Sequence, residues 1–250
     1  MASRRASNRQ AGFTLLEAVL VIVLTGIVGA FVAVFLRAPI DAYLDQSRRA
    51  ELSDAADGAL RRITRELQAA LPNSVRVGTS KQIQFMPVRS AGRYRAAPKA
   101  DGSGDWLDFG SATDHSFEVL GPPVEVAAGD SLVIYNLGLP GADAYSGESR
   151  RALNSIGGAL TTLDYAVGAA QFPFASPSQR FQVVSAAVTF SCADGSLRRN
   201  GTLLAMQADC SFAYTGGGSA RNALVTATLT LGNGGESVTL LTQVHLDNAP

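Results

Sequence analysis

The chain has only two cysteines, Cys192 and Cys210, two histidines, His115 and His245, and one tryptophan, Trp106. A metal centre built from Cys and His has almost no ligands to draw on, so neither a metal nor a cofactor is expected. Net charge is absent too: 21 basic residues balance 21 acidic ones. That removes the electrostatic footprint that a nucleic-acid partner would need. No fixed-period internal repeat is present. The 250 residues suffice for one well-buried domain with appendages.

What charge there is lies unevenly. The first twelve residues hold Arg4, Arg5 and Arg9 and no acid, and without them 18 basic residues face 21 acidic ones, a balance near −3. Directly after this basic stretch, Phe13 to Leu36 reads FTLLEAVLVIVLTGIVGAFVAVFL, 24 residues with one ionisable side chain, Glu17. As a helix the run would span about 36 Å, enough to cross a hydrocarbon core. Gly26 and Gly29 are common residue types in membrane helices.

Three readings compete for this segment. A secretory signal peptide needs a small-residue cleavage site after its apolar stretch, but this stretch is too long and runs into Arg37-Ala38-Pro39 without one. An ordinary single-pass anchor explains the length and not Glu17, since a carboxylate in lipid costs roughly 2.5–3.5 kcal/mol unless it has a partner or sits at headgroup depth. The third reading starts from Gly12-Phe13-Thr14-Leu15-Leu16-Glu17. Placed between a basic leader and an apolar helix, it resembles the class III signal of type IV prepilins: Gly, a bulky apolar residue, Thr, two aliphatics and Glu, matched at every position.

The resemblance implies that prepilin peptidase cuts between Gly12 and Phe13 and N-methylates Phe13. It implies that Glu17, fifth in the mature chain, sets subunit register by meeting the Phe13 amine of a neighbouring subunit. A buried charge is tolerable when paired in this way. Basic residues flank the helix on both sides: Arg4, Arg5 and Arg9 before it, Arg37, Arg48 and Arg49 after it. The expectation of a cytoplasmic leader and a periplasmic head therefore rests on the resemblance.

Beyond Leu36, the residues Ile40, Leu44, Leu52, Ala56, Leu60, Ile63, Leu67 and Leu71 recur mostly every three or four positions, with charges between them. This predicts an amphipathic helix laid on a domain, kinked at Pro39 and ended by Leu71-Pro72-Asn73. Its charged residues, Arg61, Arg62 and Arg65 among them, read as a solvated face, with subunit contact as the alternative.

From Pro72 onward the texture is β. Candidate strands are Gln82–Pro87, Ser131–Asn136, Phe181–Ser191, Ser211–Tyr214, Leu224–Leu231 and Ser237–Leu246, with a further one at Trp106–Phe109. The last two of the main set form a hairpin through Gly232-Asn233-Gly234-Gly235. Gly138–Ser178, rich in Ala, Gly, Ser and Pro, reads as a long irregular region. The expected fold class is α+β, type IV pilin-like. Its parts are a leader (1–12), a membrane-spanning half-helix (13–36), an amphipathic half-helix (37–71) and a β-rich head (72–250).

Cys192 and Cys210 flank a polar loop near strand ends in a head placed outside the cytoplasm, so a disulfide is expected, with two separate buried thiols as the alternative. In the chain-entropy account such a bridge contributes about 3 kcal/mol. Type IV pilins commonly close a C-terminal loop this way. Leu71–Val77, the Cys192–Cys210 loop and Gly235–His245 are also similar to minor pilins of mannose-sensitive haemagglutinin (MSHA) pilus systems. The N-terminal likeness is shared with type II secretion pseudopilins. The resemblance implies these partners: prepilin peptidase, other major and minor pilins, an inner-membrane assembly platform and membrane lipid.

Two motifs point elsewhere and are set aside. Gly129-Asp130-Ser131-Leu132 spells a serine-esterase signature, but no activating base stands at the required late position, where Thr242 precedes His245 by three. Asp101-Gly102-Ser103-Gly104-Asp105 is similar to a calcium loop, yet its twelfth place is Ala112. An enzyme is therefore not expected. Sugar binding by head loops, as in a pilus-borne adhesin, would leave little trace in a sequence.

Overall fold

The computed structural model describes residues 12–154, 157–216 and 222–249. The leader residues Arg4, Arg5 and Arg9 lie outside them. One helix, α1, runs Leu15–Gln68, and sixteen strands follow. The chain divides into two compact units, 1–50 and 51–250. The fold class is α+β: one long, initially apolar helix followed by a β-rich head.

In the first unit every described side chain from Phe13 to Arg37 is exposed, and the most apolar stretch buries none of its surface within the chain. A helix apolar on all sides has no single face to lay on a core, which is the pattern of a membrane span. The hydroxyl of Thr25 is satisfied by donating to the Val21 carbonyl at 2.7 Å. The helix continues through Pro39.

In the second unit α1 becomes one-sided. Ala56, Leu60, Ile63 and Leu67 are buried, and Leu52 packs beside them. Ile40 and Leu44, expected on the same face, fall in the first unit and are 54% and 48% exposed, so within the second unit the packed face starts at Leu52. The helix also stops three residues before Leu71. There the backbone leaves it to pair with the head: Ala70 bridges Pro87, and the Leu71 N–H donates to the Met86 carbonyl at 2.7 Å.

The strands are β1 (Arg76–Thr79), β2 (Gln82–Phe85), β3 (Val88–Tyr94), β4 (Ser116–Leu120), β5 (Val124–Ala127), β6 (Ser131–Val133), β7 (Arg150–Ala152) and β8 (Gly157–Leu160). They continue as β9 (Thr162–Asp164), β10 (Arg180–Val184), β11 (Val188–Ala193), β12 (Ser196–Arg199), β13 (Thr202–Met206), β14 (Ala208–Thr215), β15 (Asn222–Asn233) and β16 (Glu236–Asp247). Two sheets, β1-β2-β11-β12-β13 and β14-β15-β16, share one core with α1. Alternation explains the second of these: Ala223, Val225, Ala227, Leu229 and Leu231 turn inward, with threonines and Leu224 between them. Gly234 and Gly235, at φ 58° and 90°, close the β15–β16 hairpin in a left-handed turn that a Cβ would strain.

A second core belongs to a second lobe. Strands β2 and β11 are adjacent partners, with Phe85 opposite Val188, yet 86–187 intervenes between them in the chain. That insertion carries the sheet β7-β6-β10-β3-β4-β9 and the pair β5-β8. Its core is strongly aromatic: Phe117 lies 6.0 Å from Tyr94 and 5.3 Å from Phe181, centroid to centroid, and among the described residues none from α1 enters it. A small cluster of Leu71, Met86, Val133, Ala144 and Val184 joins the lobes.

Four expectations are corrected here. Phe181–Ser191 is two strands in different sheets, because 185–187 carries the chain from one lobe to the other. Trp106–Phe109 is irregular, since the Asp108 N–H is taken by the Asp114 carboxylate at 2.5 Å instead of a ladder partner. Gly138–Ser178 contains β7, β8 and β9. The span between the cysteines is the β12–β13 hairpin and not a loop.

Candidate processing and assembly site

Gly12, Phe13 and Thr14 precede the helix, and all three are exposed. The Thr14 hydroxyl accepts from the Glu17 N–H at 3.3 Å, and the Thr14 carbonyl accepts from the Ala18 N–H at 3.1 Å. Thr14 is thus the N-cap, with Glu17 three residues on: the spacing of a capping box. Sequence reasoning passed over this Thr-x-x-Glu signal. It gives two of the six motif positions a local role, since Thr satisfies an orphan N–H and Glu lies in the first turn, where the helix dipole favours a negative charge.

Local structure does not use up the site. The Glu17 carboxylate makes no hydrogen bond or ion pair among the described residues, and its side chain is exposed. Gly12 needs no glycine conformation: its φ is not positive, and a Cβ there would meet nothing within 4 Å. Among the described residues nothing in the fold requires glycine at this position.

In the head, Cys192 of β11 and Cys210 of β14 form a disulfide with Cα atoms 5.8 Å apart, linking two sheets that share the α1 core. Further along α1, Arg62 and Arg199 converge on Glu66, at 3.1 Å and 2.8 Å, which ties the helix to β12. Arg61 pairs with Asp57 at 2.6 Å, and that carboxylate holds the guanidinium charged beyond its ordinary range. Arg61 and Arg62 of this stretch are thus engaged, whereas the side chains of Glu51, Asp54 and Arg65 have no ion pair among the described residues.

The motifs set aside have structural occupations. Asp130, buried, accepts from Arg89 at 2.5 Å and from the Ala127 N–H at 2.8 Å, clamping the turn before β6. The Asp101 carboxylate accepts from the Ser103 N–H and hydroxyl, at 2.9 and 2.6 Å, and these bonds hold its pKa below the usual carboxylate range. Among the described residues no group of three His, Cys, Asp or Glu side chains is placed to hold a metal ion. His115 stands edge-on to Tyr165, His245 is exposed on β16, and Trp106 is 37% exposed in a loop.

Residues 7–33 match the prokaryotic N-terminal methylation motif, the motif of type IV prepilin-like chains. The chain therefore carries a pilin-type or pseudopilin-type N-terminus, ahead of a helix long and apolar enough to cross a membrane. No curated protein and no solved structure matches it.

Proposed function

We propose that this chain is a structural and assembly subunit, a minor pilin of a type IV pilus of the MSHA kind and of the MshO type, and not an enzyme. The observation that carries the reading is the methylation motif placed on a capped helix whose stretch to Leu36 is apolar but for Glu17, an acid with no side-chain partner among the described residues. In this account prepilin peptidase removes 1–12 on the cytoplasmic side and methylates Phe13. Residues 13–36 hold the subunit in the inner membrane, the helix continues to Gln68, and the chain beyond it forms a periplasmic head. The assembly platform then lifts the helix into a filament with other pilins, where Glu17 meets a neighbouring Phe13 amine. Gly12 fits the same account, because a side chain there would obstruct a peptidase and nothing else. A minor pseudopilin of type II secretion would use the same N-terminus, and an adhesive head would ride on it.

Co-expression with the remaining pilus subunits tests the reading. Glu17→Ala is expected to leave cleavage intact and to remove the chain from the sheared-filament fraction. Wild-type incorporation of the variant would contradict the register role. Recovery of the native chain only in membranes that support protein export, and never in sheared pili, would replace the pilus by a secretion filament.

A further inference from the structure

Strand β16 ends its sheet, and from Val238 to Leu246 no backbone group among the described residues pairs with its outer edge. The inner layer of that sheet is sealed along β15, and on β16 it is sealed at Val244 and Leu246 and open before them. Leu231, Leu229 and Ala227 are buried, whereas their cross-strand partners Val238, Leu240 and Thr242 are only half-buried. Beside this open stretch runs a groove of about 490 Å³ whose helix side includes Leu60, Arg61 and Arg65. Its other wall is Leu240, Leu241 and Thr242, three consecutive residues. Successive strand side chains point to opposite faces, so a wall of three in a row presents the edge of the strand. A second hollow, of about 200 Å³, continues the seam past Leu67 and Leu71 opposite His245 and Asn248.

The seam has the chemistry of an unfilled strand position. Its edge offers main-chain donors and acceptors, its floor is apolar, and Leu241 is 62% exposed at its rim. It also has a sign. Arg61 is engaged by Asp57, while Arg65 has no ion-pair or hydrogen-bond partner among the described residues. No acid other than Asp57 lines the groove itself, and Asp247 stands in the second hollow, at the far end of the seam from Arg65. We propose that the α1–β16 seam is a strand-addition site for an extended acidic segment of another polypeptide. The segment adds to β16 as a fourth strand, covers Val238 and Leu240 with alternate apolar side chains, and sets a carboxylate against Arg65. From Val238 to Leu246 the edge has room for about eight residues at ~3.4 Å each. The inference goes beyond the proposed function and holds for either kind of filament.

Fluorescently labelled peptides titrated against the full chain in detergent micelles and read by anisotropy provide the test. One peptide alternates Val and Glu over eight residues, a second alternates Val and Lys, and a third is the first with two central prolines. Saturable binding of the acidic peptide alone is expected, with slowed amide exchange along β16. Arg65→Glu, an exposed substitution that leaves the core intact, is expected to weaken binding by about tenfold or more. Absence of saturable binding, or equal binding of the basic peptide, overturns the proposal. Equal binding of the proline peptide overturns strand addition, and indifference to Arg65→Glu overturns the charge assignment. Self-association that blocks the peptide would make the occupant a second copy of this chain and overturn the partner assignment.

Discussion

Asn73 and Asn248, 175 positions apart, hold each other by both side chain and backbone: the Asn73 N–H donates to the Asn248 Oδ1 at 3.1 Å, and the Asn73 Nδ2 donates to the Asn248 carbonyl at 3.1 Å. The same Nδ2 reaches the Asn136 carbonyl at 3.0 Å, and the Asn136 Nδ2 donates to the Pro72 carbonyl at 2.7 Å. Helix exit, inserted lobe and chain end are thereby tied at one point. Asn73 sits at φ 60°, where Asn is among the few side chains tolerated, and its carbonyl lies 2.7 Å from where a Cβ on Gly138 would stand. Asn73→Ala loses the two bonds its Nδ2 makes and strains the backbone, at an expected cost of about 2–3 kcal/mol. Asn73→Gly keeps the conformation and loses only the side-chain bonds, so it costs less. Urea midpoints of the two variants in micelles check the order.

The inserted lobe makes a more drastic prediction. Because Phe85 faces Val188 across adjacent strands, an Asn-Gly turn in place of 86–187 closes the β2–β11 hairpin without moving either strand. The shortened chain is expected to form the Cys192–Cys210 disulfide and to retain slow amide exchange in β14, β15 and β16. Failure of the disulfide to form, with exchange fast throughout, would show that the two cores fold only together.

Tyr145 carries a buried hydroxyl with no hydrogen-bond partner among the described residues, beneath the Arg76 guanidinium, which lies 4.0 Å from the ring centroid. Burial pushes its pKa up to about 12, and burial does the same for Tyr165. A phenol whose folded pKa is raised contributes stability that is whole below its unfolded value near ~10, and that contribution is lost as the pH rises towards about 12. Tyr145→Phe keeps the ring under Arg76 and removes the unpaired hydroxyl. It is expected to be neutral or stabilising by about 1 kcal/mol at neutral pH and to flatten part of the alkaline limb. Tyr165→Phe should instead cost about 1 kcal/mol, because that hydroxyl donates to the Asp114 carbonyl at 2.9 Å or the Gln171 Oε1 at 2.8 Å. Thermal melts between pH 7 and 12 separate the two.

The anchor, the helix face from Leu52 to Leu67 and the β15–β16 hairpin are legible in the sequence because each rests on a local signal: an unbroken apolar run, a spacing of three or four, and alternation ending in paired glycines. The inserted lobe is not legible. Strands such as Arg150–Ala152 and Gly157–Leu160 are three and four residues long, built from Arg, Gly, Ala and a single Leu, and pair with partners distant in the chain. The break at 185–187 is equally silent, since Val183, Val184 and Val188 share one apolar texture on both sides of a change of sheet. At the N-terminal site the motif was readable, while the capping role of Thr14 required the helix start to be placed at Leu15.

The account stands or falls on where the mature chain begins. Intact mass and N-terminal sequencing of protein extracted from membranes of cells that contain prepilin peptidase measure this directly. The predicted result is a chain that starts at Phe13 and carries one added methyl group on its terminal amine. A chain that still bears the basic leader, or one that begins after Leu36, would contradict it.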